Sequence, residues 1–122
     1  MRKVLIIEDN EDNMALITQL LESTGAYEIV SANTGISGVT LSLNCKPDVI
    51  LLDIQLPDID GTEVLKRIRS SDAGKHISII AVTSYAMSGD KERLIASGCN
   101  GYLEKPIDPM NFVTQIEKVI GK

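Results

Sequence analysis

Residues 47–61 read PDVILLDIQLPDIDG, and the order of these residues decides the fold. Val49, Ile50, Leu51 and Leu52 form an unbroken apolar run rich in β-branched residues, the composition of a strand buried on both faces of a parallel sheet. The run stops at a charge, Asp53, and Pro57, Asp58, Asp60 and Gly61 then spell a turn into a helix. A carboxylate at the carboxyl end of a central parallel strand lies where open α/β sheets place their chemistry. Taken alone, Asp53 reads equally well as an ordinary residue that ends a strand and solvates a loop.

On the amino side of this stretch, Val4, Leu5, Ile6 and Ile7 make a first apolar run closed by Glu8, Asp9 and Asn10. Met14, Ile17, Leu20 and Leu21 recur at helical spacing, with Gly25 ending that helix. A shorter and more polar strand over 27–31 belongs at a sheet edge, and Thr34 caps a second helix with apolar positions Ile36, Val39, Leu41 and Leu43, which Pro47 cannot continue. On the carboxyl side, Asp60 and Glu63 have capping-box spacing, and Val64, Leu65 and Ile68 give the inward face of a third helix. Residues 77–82 are a fourth apolar strand ending at Thr83 and Ser84, followed by a short polar helix over roughly 89–97 that Gly98 closes. Gly101, Tyr102 and Leu103 make a fifth strand ending at Glu104, Lys105 and Pro106. Asp108 as cap and Pro109 at the first helical position then start a last helix, with Phe112, Val113, Ile116, Val119 and Ile120 on one face. Five strands alternating with five helices imply right-handed βαβ units, hence an α/β, doubly wound parallel sheet in one domain over 1–122.

Composition narrows the function. A chain of 122 residues with 43% hydrophobic side chains can bury a proper core as a single domain. A net charge of −5 argues against nucleic-acid binding, which needs Lys and Arg concentrated on one face, and 3% aromatic content removes stacking platforms. Cys45 and Cys99 lie far apart without ligand-like neighbours and read as free packing thiols. His76, the single histidine, reads as a surface residue and excludes a His-based metal cluster. The amino end lacks the order of a signal peptide and the apolar runs are too short to span a bilayer, so a cytoplasmic protein without a membrane partner is expected.

The strand ends converge on one rim. Glu8 and Asp9 follow the first run, Asp53 the third, Thr83 the fourth and Lys105 the fifth. In the flavodoxin-like strand order 2-1-3-4-5 the first and third strands are neighbours at the switch point, which brings three carboxylates together. Like charges at that range raise one another's pKa unless a cation intervenes, and carboxylate, carbonyl and water oxygens suit Mg²⁺. Thr83, Tyr102 and Lys105 each have an ordinary structural reading, but their joint placement at corresponding strand ends favours a site.

With these residues in place, the chain resembles two-component response-regulator receiver domains of CheY-like fold over essentially its whole length. The matching motifs are Glu8-Asp9, the DxxxP segment from Asp53 to Pro57 with Gly61, the Thr83-Ser84 pair, and Lys105-Pro106 preceded by Tyr102. EDNEDN and SYAMSGDKER are similar to small single-domain regulators of the DivK type and to receiver modules of hybrid histidine kinases. The resemblance implies that Asp53 accepts a phosphoryl group from a histidine kinase or phosphotransfer protein. It implies Mg²⁺, with Mn²⁺ as substitute, on Asp9, Asp53 and the Gln55 main-chain carbonyl, with Glu8 acting through water. Lys105 and Thr83 would bind phosphoryl oxygens, Thr83 and Tyr102 would switch the face formed by the fourth helix, fifth strand and fifth helix, and Gln55 and Tyr85 would tune phosphoryl lifetime. Pro57, Gly61 and Pro106 would be structural, the Lys-Pro peptide commonly being cis in the family. Such a domain is no conventional enzyme, although it catalyses its own phosphorylation and dephosphorylation; it would be a monomer or weak dimer whose downstream target the sequence does not name.

Rival classes fit less well. A flavin-binding electron carrier of this topology needs a hydroxyl-rich or Gly-rich phosphate loop after the first strand, where Glu8, Asp9, Glu11 and Asp12 would repel a phosphate. A phosphohydrolase with an aspartate nucleophile normally wants a second Asp two residues on as general acid, and that position is Gln55.

Overall fold

The buried runs and amphipathic segments fold as β1 (Arg2–Ile7), α1 (Glu11–Glu22), β2 (Tyr27–Ala32), α2 (Gly35–Cys45), β3 (Val49–Asp53), α3 (Gly61–Arg69), β4 (Ser78–Thr83), α4 (Asp90–Ala96), β5 (Gly101–Glu104) and α5 (Phe112–Ile120). The structure, a computed structural model, describes residues 1–84 and 90–121, with side chains at all of these except Asp90 and Lys91. The strands form one sheet in the order β2-β1-β3-β4-β5, parallel throughout as the alternation of elements implies.

Side-chain alternation along the strands divides the core into two layers. Leu5, Ile7, Ile50, Leu52, Ile79 and Ala81 point to the layer that holds Val64, Leu65 and Ile68 of α3 and Leu94 of α4. Val4, Ile6, Val49, Leu51, Ile80 and Val82 point to the layer that holds Ile17 and Leu21 of α1 and Phe112 and Ile116 of α5. β3 is buried along its whole length, Asp53 included, because strands lie on both its edges and helices cover both its faces.

Register then fixes the rim. Ile7 lies opposite Leu52, Asp53 opposite Val82, and Thr83 opposite Glu104. Glu8 therefore comes level with Asp53, while Thr83 and Lys105 each stand one residue beyond the group on the preceding strand.

Four local readings change. α1 stops at Glu22, short of Gly25 (φ 69°), because the Ser23 and Thr24 hydroxyls donate back to the Leu20 and Leu21 carbonyls at 2.8 Å each. The third helix lacks a reciprocal capping box: Asp60 accepts from Thr62 N, and Glu63 pairs with Arg67 at 2.8 Å instead of reaching back. Asp108 caps a turn rather than α5 itself, accepting from Met110 N at 3.1 Å, and α5 begins at Phe112. The fully buried positions of α2 are Gly35, Gly38 and Ser42, with Val39 and Leu41 packed on the core beside them, while Ile36 is exposed. The reason is proximity, since a Cβ on Gly38 would lie 2.5 Å from Ile7 Cδ1 and 2.8 Å from Ile7 Cγ1.

Gly38→Ala should therefore destabilise the fold by about 1–3 kcal/mol despite the better helix propensity of Ala. Urea unfolding would show a lower midpoint at unchanged slope; a raised midpoint would contradict this packing.

Candidate functional site

The three carboxylates predicted to meet do so. Among the described residues, Glu8, Asp9 and Asp53 are the one group arranged as metal ligands, with carboxylate oxygens within 4.8 Å of one another. Glu8 and Asp53 are 2% and 4% exposed, so the end of β3 is covered rather than surfacing, whereas Asp9 faces solvent. β1 supplies the first two groups because its last apolar residue, Ile7, is opposite Leu52; β3 supplies the third at its terminus.

Lys105, just past β5, reaches across this cluster. Its Nζ is 2.8 Å from Glu8 Oε1 and 3.4 Å from Asp53 Oδ2. The backbone sets its origin: Lys105 N donates to Thr83 O at 2.9 Å, and the Lys105-Pro106 peptide is cis. Asp53 Oδ1 accepts from Gln55 N at 3.1 Å, and Glu8 Oε2 from Asn10 N at 3.2 Å. Thr83 ends β4 at 1% exposure, and Ser84 beyond it donates to Gln55 Oε1 at 3.2 Å. Tyr102 stands on β5 opposite Ala81 and packs on the α3-side core layer. Gly61 cannot bear a side chain, since its Cβ would fall 2.5 Å from Ile54 Cα and 3.0 Å from Asp53 O; Gly61 N instead donates to Ile54 O at 2.9 Å. Pro57 lies in the same β3–α3 connection. Tyr85 falls outside the described residues.

Charge is under-compensated here. Burial, first, then a hydrogen bond and repulsion from Glu8 push the Asp53 carboxyl up to about 7, against the opposing Gln55 N–H and Lys105 charge. Glu8 Oε1 is buried and accepts no well-aligned hydrogen bond, although the Lys105 ammonium lies beside it. An all-oxygen donor set, with a buried Glu8 oxygen that has only the Lys105 ammonium beside it and one solvent-facing carboxylate, fits a hard divalent cation. A cleft of about 560 Å³, lined by Glu8, Asp9, Glu11, Met14, Ser31 and Asn33, opens the cluster toward α1 and β2.

Some contacts had no sequence signal. The nearest partner of Lys105 is Glu8 rather than Asp53. Asp58, a turn residue by composition, grips the first turn of α2. Arg69 binds the Gly74, Ile77 and Gly98 carbonyls, tying α3 to the turn before β5.

Comparison with known proteins agrees with this geometry. Residues 4–117 match the response regulator receiver domain family. The chain is 42% identical over 120 residues to the polar-differentiation response regulator DivK of Brucella anthropi, covering 98% of this chain and 97% of that one. The DivK of Brucella ovis matches at the same identity and coverage. The receiver domain of a sensor histidine kinase from Pseudomonas aeruginosa, solved with a magnesium ion coordinated in its active site cleft, superposes with a TM-score of 0.89 at 33% identity, covering 99% of this chain and 98% of that one. The chemotaxis response regulator CheY4 of Vibrio cholerae superposes at 0.91 with 27% identity and 98% of both chains covered.

The chain belongs to the response-regulator receiver family. Its place is in two-component signalling, where receiver domains take phosphoryl groups from histidine kinases or phosphotransfer proteins and act as phosphoacceptors rather than conventional enzymes. No helix among the described residues is long and apolar enough to cross a membrane.

The raised Asp53 pKa sets a pH dependence. The native state holds this proton up to about pH 7, whereas the unfolded chain releases it near the ordinary Asp value of about 4. The associated stability is therefore full below pH 4, falls as pH rises toward 7, and is absent above. In metal-free buffer at pH 8, Asp53→Asn should melt several degrees above the unaltered protein, with the gap closing at pH 4; equal melting temperatures at both pH values would contradict the assignment.

Proposed function

We propose that Asp53 is the phosphoacceptor and that the domain, over residues 1–122, promotes both the gain and the loss of its phosphoryl group. The observation that carries this reading is the convergence of Asp53 with Glu8, Asp9 and Lys105 at one sheet rim. An Asp53 carboxylate oxygen attacks the phosphorus of a phosphohistidine; the P–N bond breaks, and the imidazole leaves with its electron pair. Hydrolysis returns the carboxylate and releases inorganic phosphate.

Asp9, Asp53 and the Gln55 carbonyl would hold Mg²⁺, or Mn²⁺ in its stead, with Glu8 bound through water. When bound, the ion supplies positive charge to the attacking and phosphoryl oxygens. The residues do the rest. The Gln55 N–H orients the attacking carboxylate, as its 3.1 Å bond to Asp53 Oδ1 supports. Lys105 transfers its ammonium from Glu8 to a phosphoryl oxygen, and the Thr83 hydroxyl donates to another. Because Thr83 is buried at the end of β4, its displacement opens space toward Tyr102 on β5 and remodels the face of α4, β5 and α5 that a protein partner reads. Gln55, held by Ser84, flanks the line of water attack and sets phosphoryl lifetime, a role the sequence also assigns to Tyr85.

The phosphodonor is a histidine kinase or phosphotransfer protein in the cytoplasm. The same chemistry serves a free-standing regulator of the DivK type or a receiver module of a hybrid kinase.

Incubation with acetyl phosphate and Mg²⁺ should add one phosphoryl group by intact mass. The gain should vanish in Asp53→Asn and on chelation by EDTA, and slow by at least about tenfold in Lys105→Ala. A phosphoryl group retained in Asp53→Asn would overturn the reading.

A further inference from the structure

One side chain in the loop between β3 and α3 is explained neither by the fold nor by the chemistry above. Asp58 lies at the surface, yet its carboxylate is bidentate on the first turn of α2: Oδ1 accepts from Gly35 N and Oδ2 from Ile36 N, both at 2.8 Å. The next two donors of that helix are served locally, Ser37 N by Thr34 Oγ1 at 3.1 Å and Gly38 N by Thr34 O at 3.0 Å. The outermost N–H groups, which a helix leaves unpaired, are thus taken by a residue more than twenty positions away. The N–H of Ile36, and then that of Gly35, hold the Asp58 carboxyl below its ordinary range.

α2 sits directly on this loop. A Cβ on Gly35 would lie 2.6 Å from Ile59 Cγ1 and 2.9 Å from Val64 Cγ2. One turn further along the same face, the helix rests through Gly38 on Ile7, the residue before Glu8. Asp58 therefore connects the loop that carries Gln55 to a helix seated on the strand that carries Glu8 and Asp9. Pro57 restricts the backbone between Gln55 and Asp58, and the bond from Gly61 N to Ile54 O closes the loop at 2.9 Å, so a displacement of Asp58 is passed to Gln55.

We propose that Asp58 is a positioning residue for the metal centre: by holding the β3–α3 loop on α2 it sets where the Gln55 carbonyl stands relative to Asp9 and Asp53. The inference rests on the reading of this rim as a Mg²⁺-dependent phosphoacceptor site. Partners that orient ligands from outside a metal's own coordination sphere typically change affinity tenfold or more when removed.

The test is a Mg²⁺ titration of the full chain followed by backbone amide NMR shifts. Asp58→Ala should raise the Mg²⁺ Kd about tenfold, and Asp58→Asn, which keeps one accepting oxygen, should fall between it and the unaltered protein. In metal-free Asp58→Ala, the Ile54 and Gln55 amides should exchange faster with solvent, while at saturating Mg²⁺ phosphorylation by acetyl phosphate should return to within about twofold. Thr34→Ala removes a cap from the same helix without touching the loop and should leave the Mg²⁺ Kd unchanged. Unaltered affinity in Asp58→Ala, with normal binding by the parent, would reduce Asp58 to a helix cap. Equal weakening by Thr34→Ala would assign the effect to general fraying of α2. Failure of the parent chain to bind Mg²⁺ would overturn the reading of the site together with the proposal.

Discussion

Crowding of like charge at the carboxyl ends of β1 and β3 is the constraint on which the rest of this structure depends. Three carboxylates lie within 4.8 Å of one another, two of them almost fully buried. Two unit charges about 4 Å apart repel by roughly 4 kcal/mol at the effective dielectric of a protein surface. One ammonium, from Lys105, and two main-chain N–H groups offset part of this, and the elevated pKa of Asp53 relieves more by keeping a proton. A folded domain holds such a cluster only if the scaffold is rigid enough to bear it. The scaffold is a β3 strand buried along its length, with two strands beside it and a helix layer on each face.

The same arrangement places the groups in direct contact with one another. Lys105 touches both Glu8 and Asp53, so any new negative oxygen near Asp53 competes with Glu8 for the ammonium. Gln55 joins the loop after β3 to Asp53 through its main-chain N–H and to the end of β4 through Ser84. Thr83 is the last buried residue of β4, and its carbonyl anchors Lys105 N. Charge, loop and strand end therefore form one connected unit, the physical requirement for converting a covalent change on one carboxylate into a change of surface.

Much of this was legible in the residues alone. Apolar runs ending at Glu8, Asp53, Thr83 and Lys105 revealed both the strands and the rim, because buried parallel strands read as continuous hydrophobic segments and loops at their carboxyl ends carry the chemistry. The parallel sheet and the edge position of β2 followed from the residues, whereas the order 2-1-3-4-5 was taken from the flavodoxin-like arrangement. What stayed hidden was tertiary. Ile36 counts among the apolar positions of α2, yet it is exposed, because Gly38 rather than a large side chain meets Ile7 while Val39 and Leu41 pack on the core. Asp60 and Glu63 carried capping-box spacing, yet Arg67 one turn on captured the glutamate. Asp58 looked like one more turn residue, because nothing in local sequence shows that a helix N-terminus will arrive opposite it.

The central claim, on the proposed function, is that the Lys105 ammonium, which lies beside Glu8 and Asp53 here, moves to a phosphoryl oxygen once Asp53 carries one. A crystal structure with Mg²⁺ and beryllofluoride, a phosphoryl mimic, tests it most directly. The account predicts the ion about 2.1 Å from oxygens of Asp9, Asp53 and the Gln55 carbonyl, with Lys105 Nζ having left Glu8 for a fluoride on Asp53. Lys105 still paired to Glu8, or the ion bound away from Asp53, would contradict it.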